Sequence, residues 1–137
     1  GMCMDNRKHL HIPDNFAFII RSGGGNLRYS EFKVSYAVAI GGVRHIALIA
    51  HSNCAMVNIA SRKEQFLAGL VRNAGWTRER AEEHFINLAL MPEIENEAEF
   101  VCSEAQRLRR RYPKILVEPF YYKVEDNRLY CIQPRKR

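Results

Sequence analysis

The sequence predicts an α/β fold with a mainly parallel sheet, flanking helices and an antiparallel edge strand at the C-terminus. Three observations carry that prediction. Two short runs, FAFIIR (16–21) and HIALIA (45–50), are apolar throughout rather than alternating, which suits strands buried on both faces. A segment of helical period lies between them, so the order strand, helix, strand is that of a right-handed parallel crossover. Near the other end, KILVEPFYYKV (114–124) and LYCIQ (129–133) flank the turn EDNR and read as a hairpin at the sheet edge.

Each element has its own signals. FAFIIR is bounded by PDN before and SGGGN after, a strand that ends in a loop. YSEFKVSYAVAIGGV (29–43) places Phe32, Tyr36 and Ala39 to Ile40 on one helical face, and Gly41 with Gly42 stops the helix. SRKEQFLAGLVRNAG (61–75) is a helix with Ser61 as cap, Glu64 three positions on and Gly75 as stop. The next, TRERAEEHFINLALM (77–91), begins at Thr77 as N-cap and ends before Pro92. EIENEAEFVCSEAQRLRRRY (93–112) is a helix, acidic at its start and basic at its end as the macrodipole favours, and Pro113 closes it. Pro119 predicts an edge position or a bulge for its strand.

Length and composition set the class. At 137 residues, 47% hydrophobic and 26% charged, the chain is expected to be one globular domain spanning 1–137. No apolar run approaches the ~20 residues of a membrane span, and no basic segment leads into an apolar h-region, so an unexported, cytoplasmic protein is expected. Gly1 ahead of Met2 reads as an expression remnant, which puts the native start at Met2. In that setting the four cysteines are thiols or metal ligands rather than disulfides, with Cys102 and Cys131 read as buried packing residues. The formal charge of +6 is concentrated in RLRRRY (107–112) and PRKR (134–137), with no interleaved aromatics. That pattern reads as a solvated helix face and a tail rather than a nucleic-acid site.

In parallel sheets chemistry collects at the C-terminal ends of strands, where both SGGGN and HSNC fall. His51 and Cys54 sit where a strand turns toward a helix, a place that can aim an imidazole and a thiolate at one ion. By itself H-x-x-C also fits a hydrogen-bonded histidine beside a buried structural thiol, the commoner arrangement. CMDNR (3–7) offers a thiolate at Cys3, a carboxylate at Asp5 and a guanidinium at Arg7. Cys3, His51 and Cys54 make a Cys2His set, which suits zinc and leaves a fourth position for water, a solute or Asp5.

Taken in order, CMDNR, IIRSGGGN (19–26) and SYAVAIGGVRHIALIAHSNCAMV (35–57) resemble the three signature segments of the β-class carbonic anhydrases. Those run Cys-x-Asp-x-Arg, Arg-Asn-Ala-Gly, and Ser-x-x-Tyr-Ala-Val leading to Gly-His-x-x-Cys-Gly, and LVEPFYYKVEDNRLYCI is similar to the family's terminal strand and hairpin. The resemblance implies a β-carbonic-anhydrase-like fold and a zinc enzyme that hydrates carbon dioxide to bicarbonate reversibly, by a zinc-bound hydroxide. It implies Cys3, His51 and Cys54 as zinc ligands and Asp5 with Arg7 as the catalytic dyad, with Asp5 either paired to Arg7 or turned to ligate the zinc. It also implies Ser22, Gly23 and Gly24 as a wall of the substrate pocket, and a homodimer or higher homo-oligomer with the pocket near the subunit interface. Zinc lowers the pKa of the water it binds to about 7, and carbon dioxide needs only a dry niche beside the resulting nucleophile.

The sequence departs from that pattern at several points. Only Gly1 and Met2 precede Cys3 where the family has an apolar strand, so a gap is expected beside 16–21 and 45–50. Ala50 and Ala55 replace glycines flanking His-x-x-Cys, and Ser22-Gly23 replaces Asn-Ala. The alternative these departures raise is a non-catalytic, carbonic anhydrase-like binding or structural protein with an incomplete or empty zinc site.

Overall fold

In the computed structural model, which describes residues 10–89 and 96–132, strand β1 (His45–His51) lies parallel to β2 (Leu116–Lys123). His45 stands opposite Leu116 and His51 opposite Tyr122. Strand β3 (Arg128–Cys131) adds antiparallel to β2, giving the sheet order β1-β2-β3. The mainly parallel sheet with an antiparallel C-terminal edge is therefore as the sequence predicts. Four α-helices lie among the described residues, α1 (Glu31–Ala39), α2 (Lys63–Ala74), α3 (Arg78–Leu88) and α4 (Glu97–Arg111), and α4 is the one that packs on the sheet.

Helix α4 makes the core. Asn96 caps it by accepting from the Glu99 N–H at 2.9 Å, and the spacing of Val101, Ala105 and Leu108 turns one apolar stripe onto the sheet. There the stripe meets Leu48 and Ala50 of β1 and Val117 of β2, with Leu27 and Val34 closing the side. The alternate residues Ile49 and Tyr122 pack together on the opposite face. On α4 itself, Glu104 is a fully buried carboxylate that accepts from the Leu27 N–H at 3.1 Å and from Arg107. Arg107 also reaches Glu31 at 3.2 Å, so one ion network ties α1 and the 22–27 loop to α4.

Helices α2 and α3 form a hairpin with Leu67, Ala81 and Phe85 buried. Gly75 ends α2 at φ +69°, and Thr77 caps α3 by accepting from the Arg80 N–H at 3.2 Å, both as expected. Ser61 does not cap α2. Its hydroxyl donates to the Asn58 carbonyl at 2.8 Å, inside the 3-10 turn Ile59–Arg62 that precedes the helix.

Three expectations are corrected. Residues 16–21 are not a strand: Arg21 alone forms an isolated bridge, and Phe16 and Phe18 are 76% and 64% exposed. A buried strand needs neighbours for its backbone groups, and among the described residues no strand lies beyond β1 to supply them. The Phe18 ring instead lies against the backbone of Gly41, where a Cβ would meet it at 2.7 Å. Pro119 sits in the central strand rather than at an edge or bulge. Its carbonyl accepts from the Ile132 N–H, so the missing donor faces β3 just beyond that strand's last residue and interrupts no ladder. Cys131 is exposed on β3 rather than packed, because no element among the described residues covers that edge strand; Cys102 is half-buried.

The helical face carrying Phe32, Tyr36 and Ile40 points outward, and α1 buries Val34 and Ala37 instead. The arginine run is largely occupied within the chain. Arg107 holds Glu104 and Glu31, Arg109 donates to the Val117 carbonyl, and Arg111 pairs with Glu31. No helix of the described residues is long and apolar enough to cross a membrane.

Candidate metal centre

His51 is the last residue of β1, and parallel pairing with β2 carries it to the C-terminal end of the sheet. The β1 strand is buried from Leu48 onward, so the imidazole is only 9% exposed. Ser52 and Asn53 then turn the chain. Asn53 adopts φ +55°, a left-handed conformation that asparagine tolerates better than most residues. The turn delivers Cys54, a free thiol that is 6% exposed.

The two nitrogens of His51 have different fates. Nδ1 lies 2.8 Å from the Ser52 carbonyl oxygen. A carbonyl only accepts, so Nδ1 carries the hydrogen and the neutral ring presents a lone pair at Nε2. Nε2 is buried and, among the described residues, has no hydrogen-bond partner. An orphaned ring nitrogen costs about 1–3 kcal/mol of lost hydration unless something occupies it. Donating one nitrogen to a backbone carbonyl while the other is free is the arrangement of a metal-ligating histidine. With the buried Cys54 thiol three residues on, the donors present fit zinc.

A polar frame surrounds the pair. The Ser52 hydroxyl donates to Glu125 at 2.8 Å and accepts from the Val124 N–H at 2.9 Å, while the Asn53 amide donates to the other Glu125 oxygen at 3.0 Å. The Cys54 N–H points to Glu97 at 3.4 Å, at the start of α4. Burial, then the negative charges of Glu97 and Glu125, hold the Tyr121 hydroxyl above the usual phenol range, against a hydrogen bond with Ser52. Glu97, Tyr121, Val124 and Glu125 were not expected at the site, because they come from sequence positions far from His51, whereas Ser52 and Asn53 lie inside the H-x-x-C spacing itself.

Ser22, Gly23 and Gly24 lie in a loop whose 3-10 turn, Gly23–Gly25, packs against β1 and α4. Gly24 and Gly25 take φ +64° and +74°, which explains the consecutive glycines. The Ser22 hydroxyl closes the loop onto the Asn26 carbonyl. A cavity of about 300 Å³ opens elsewhere, on the outer side of α1, lined by Phe18, Ile20, Phe32, Tyr36 and Ala37 among others. Cys3, Asp5 and Arg7 lie outside the described residues. Among the described residues, no three His, Cys, Asp or Glu side chains gather at one point.

Compared by sequence, the chain matches no family model and no curated protein. Compared by structure, it is similar to a carbonic anhydrase from Glaciozyma antarctica, at TM-score 0.73 and 19% identity over 93% of this chain and 74% of that one. It is also similar to a carbon disulfide hydrolase in its apo form, at TM-score 0.63 and 20% identity over 99% and 77% of the two chains. The β-carbonic anhydrase CafA of Aspergillus fumigatus superposes at TM-score 0.59 and 16% identity over 99% and 74%. The fold is thus that of the β-carbonic anhydrases.

Proposed function

We propose that this chain is a zinc-dependent, carbonic anhydrase-like enzyme that hydrates carbon dioxide to bicarbonate reversibly. The observation that carries the reading is His51: its Nδ1 is fixed on the Ser52 carbonyl and its buried Nε2 has no partner among the described residues, near the buried thiol of Cys54 three residues on. In this reading His51 and Cys54 hold zinc together with Cys3. When bound, zinc supplies Lewis acidity and a hydroxide nucleophile at neutral pH. Asp5, held ionised by Arg7, accepts the proton of the attacking group and orients it. The 22–24 loop forms a wall that keeps water from the reacting carbon.

The active form in this reading is a homodimer. Phe18, Phe32 and Tyr36 line one apolar cavity, and with Phe16, Tyr29 and Ile40 each is more than half exposed. At the ~200 Å² typical of a large aromatic side chain, they present on the order of 800 Å², about what each partner contributes to a standard interface.

The test is metal content with turnover. Wild-type protein expressed with zinc should carry about one zinc per chain, and His51→Ala or Cys54→Ser should carry almost none. Stopped-flow hydration should vanish in Asp5→Asn while its zinc is retained. Carbon disulfide belongs in the same assay, because the same nucleophile attacks either linear molecule. Metal-free wild type would overturn the reading in favour of a non-catalytic binding protein.

A further inference from the structure

We propose that Glu125 is a positioning residue for the zinc ligands, acting through Ser52 and Asn53. The inference rests on His51 and Cys54 being ligands. Glu125 lies in the turn between β2 and β3, is itself exposed, and touches neither of them. Its carboxylate nevertheless grips the two residues that separate them, one oxygen on the Ser52 hydroxyl at 2.8 Å and the other on the Asn53 amide at 3.0 Å.

Each grip bears on one ligand. Ser52 is held on three sides, since its N–H donates to the Tyr122 carbonyl at 3.0 Å and its hydroxyl accepts from the Val124 N–H at 2.9 Å as well as donating to Glu125. The Ser52 carbonyl is the acceptor for His51 Nδ1, so fixing this peptide fixes the plane of the imidazole and the direction of its free lone pair. Asn53 is the left-handed residue of the turn, and tying its amide down holds the bend that presents Cys54. A carboxylate suits the task because both oxygens only accept, matching a hydroxyl and an amide N–H at once. Glutamine offers one acceptor and one donor, so it satisfies half the clamp.

The experiment is a double-mutant cycle on zinc affinity, read by competition with a chromophoric chelator, with the cobalt-substituted absorption spectrum as a second signal. Glu125→Ala should weaken zinc binding roughly ten- to hundred-fold and shift the cobalt bands, and Glu125→Gln should lose less. Ser52→Ala should lose a similar amount, and the double variant little more than either single one, because both act along one path. Zinc affinity and cobalt bands unchanged in Glu125→Ala would overturn the inference while leaving the zinc reading intact. Fully additive losses in the double variant would also overturn it. Wild type that binds no zinc removes the zinc reading first, so the two failures are separable. Should Glu125→Ala not fold, the Gln and Ser52→Ala variants carry the cycle.

Discussion

The two sides of β1 are built to different standards. Toward β2 and α4, Leu48, Val101, Ala105, Leu108 and Val117 are all 0% exposed, and even the buried carboxylate of Glu104 is paired. Toward residues 16–40, Phe16 and Phe32 stand 76% and 81% exposed, and an apolar cavity opens between residues 18–20 and α1. The first side is finished by this chain's own contacts. The second side carries as much greasy surface as an interface does, and His51 belongs to the finished side.

The largest test of that contrast is Glu104→Ala. Removing the carboxylate leaves the Leu27 N–H without its acceptor and takes from Arg107 its buried partner, leaving it Glu31. Losing one partner of a buried ion pair costs about 3–5 kcal/mol, and the partial exposure of Arg107 favours the lower end. Leu108→Ala, which empties the C-terminal end of the α4 stripe, should cost about 2–5 kcal/mol by the cavity it leaves. Urea melts of both variants measure this. A loss under about 1 kcal/mol in each would mean the side facing α4 is not the stable half.

On the other side the expectation inverts. Phe32→Ser should change the stability of the monomer by no more than about 0.5 kcal/mol, because its ring is already mostly in water. Light scattering should nonetheless find dimer in the wild type and a shift to monomer in the variant. A wild-type monomer at high concentration would break the comparison, since the exposed face would then have no second copy to cover it.

What the sequence made legible follows the same divide. The strand at 45–51, the caps at Thr77 and Gly75, and the closing hairpin rest on local chemistry, and local chemistry is readable. So was the placement of His51 and Cys54 where β1 ends and the chain turns. Helical period placed Phe32, Tyr36 and Ile40 on one face but not which face would meet the core; small Ala37 and Val34 do, because they let α1 approach. The run at 16–21 read as a strand from its apolarity, but a strand is defined by what it pairs with, and pairing is not written in one segment. Glu125 was silent for a similar reason: its partners lie over seventy residues away and are met only once β2 pairs with β1.

The smallest effect expected is in the pH profile of the hairpin side. A hydrogen bond from its own backbone, then the Ser52 hydroxyl, hold Glu125 below the usual glutamate range, and the Tyr130 hydroxyl does the same for Asp126. Unfolded carboxylates titrate near about 4, so their contribution is full above roughly pH 5. Below that the unfolded chain takes up protons that the native one refuses, and stability falls as pH drops through the lowered values. Tyr130 shifts the other way, raised chiefly by its bond to Asp126 at 2.5 Å. The native chain keeps that proton when the unfolded one loses it near about pH 10, so stability declines again on the alkaline side. Tyr130→Phe should therefore shallow both limbs of a urea-midpoint profile and leave zinc binding unchanged, because the Tyr130–Asp126 bond lies within β3 and its turn, away from Ser52. An acid limb identical to wild type would sink that assignment. Self-association through the apolar face should hold constant from pH 7 to about 5, since none of the six side chains that form it ionises in that range.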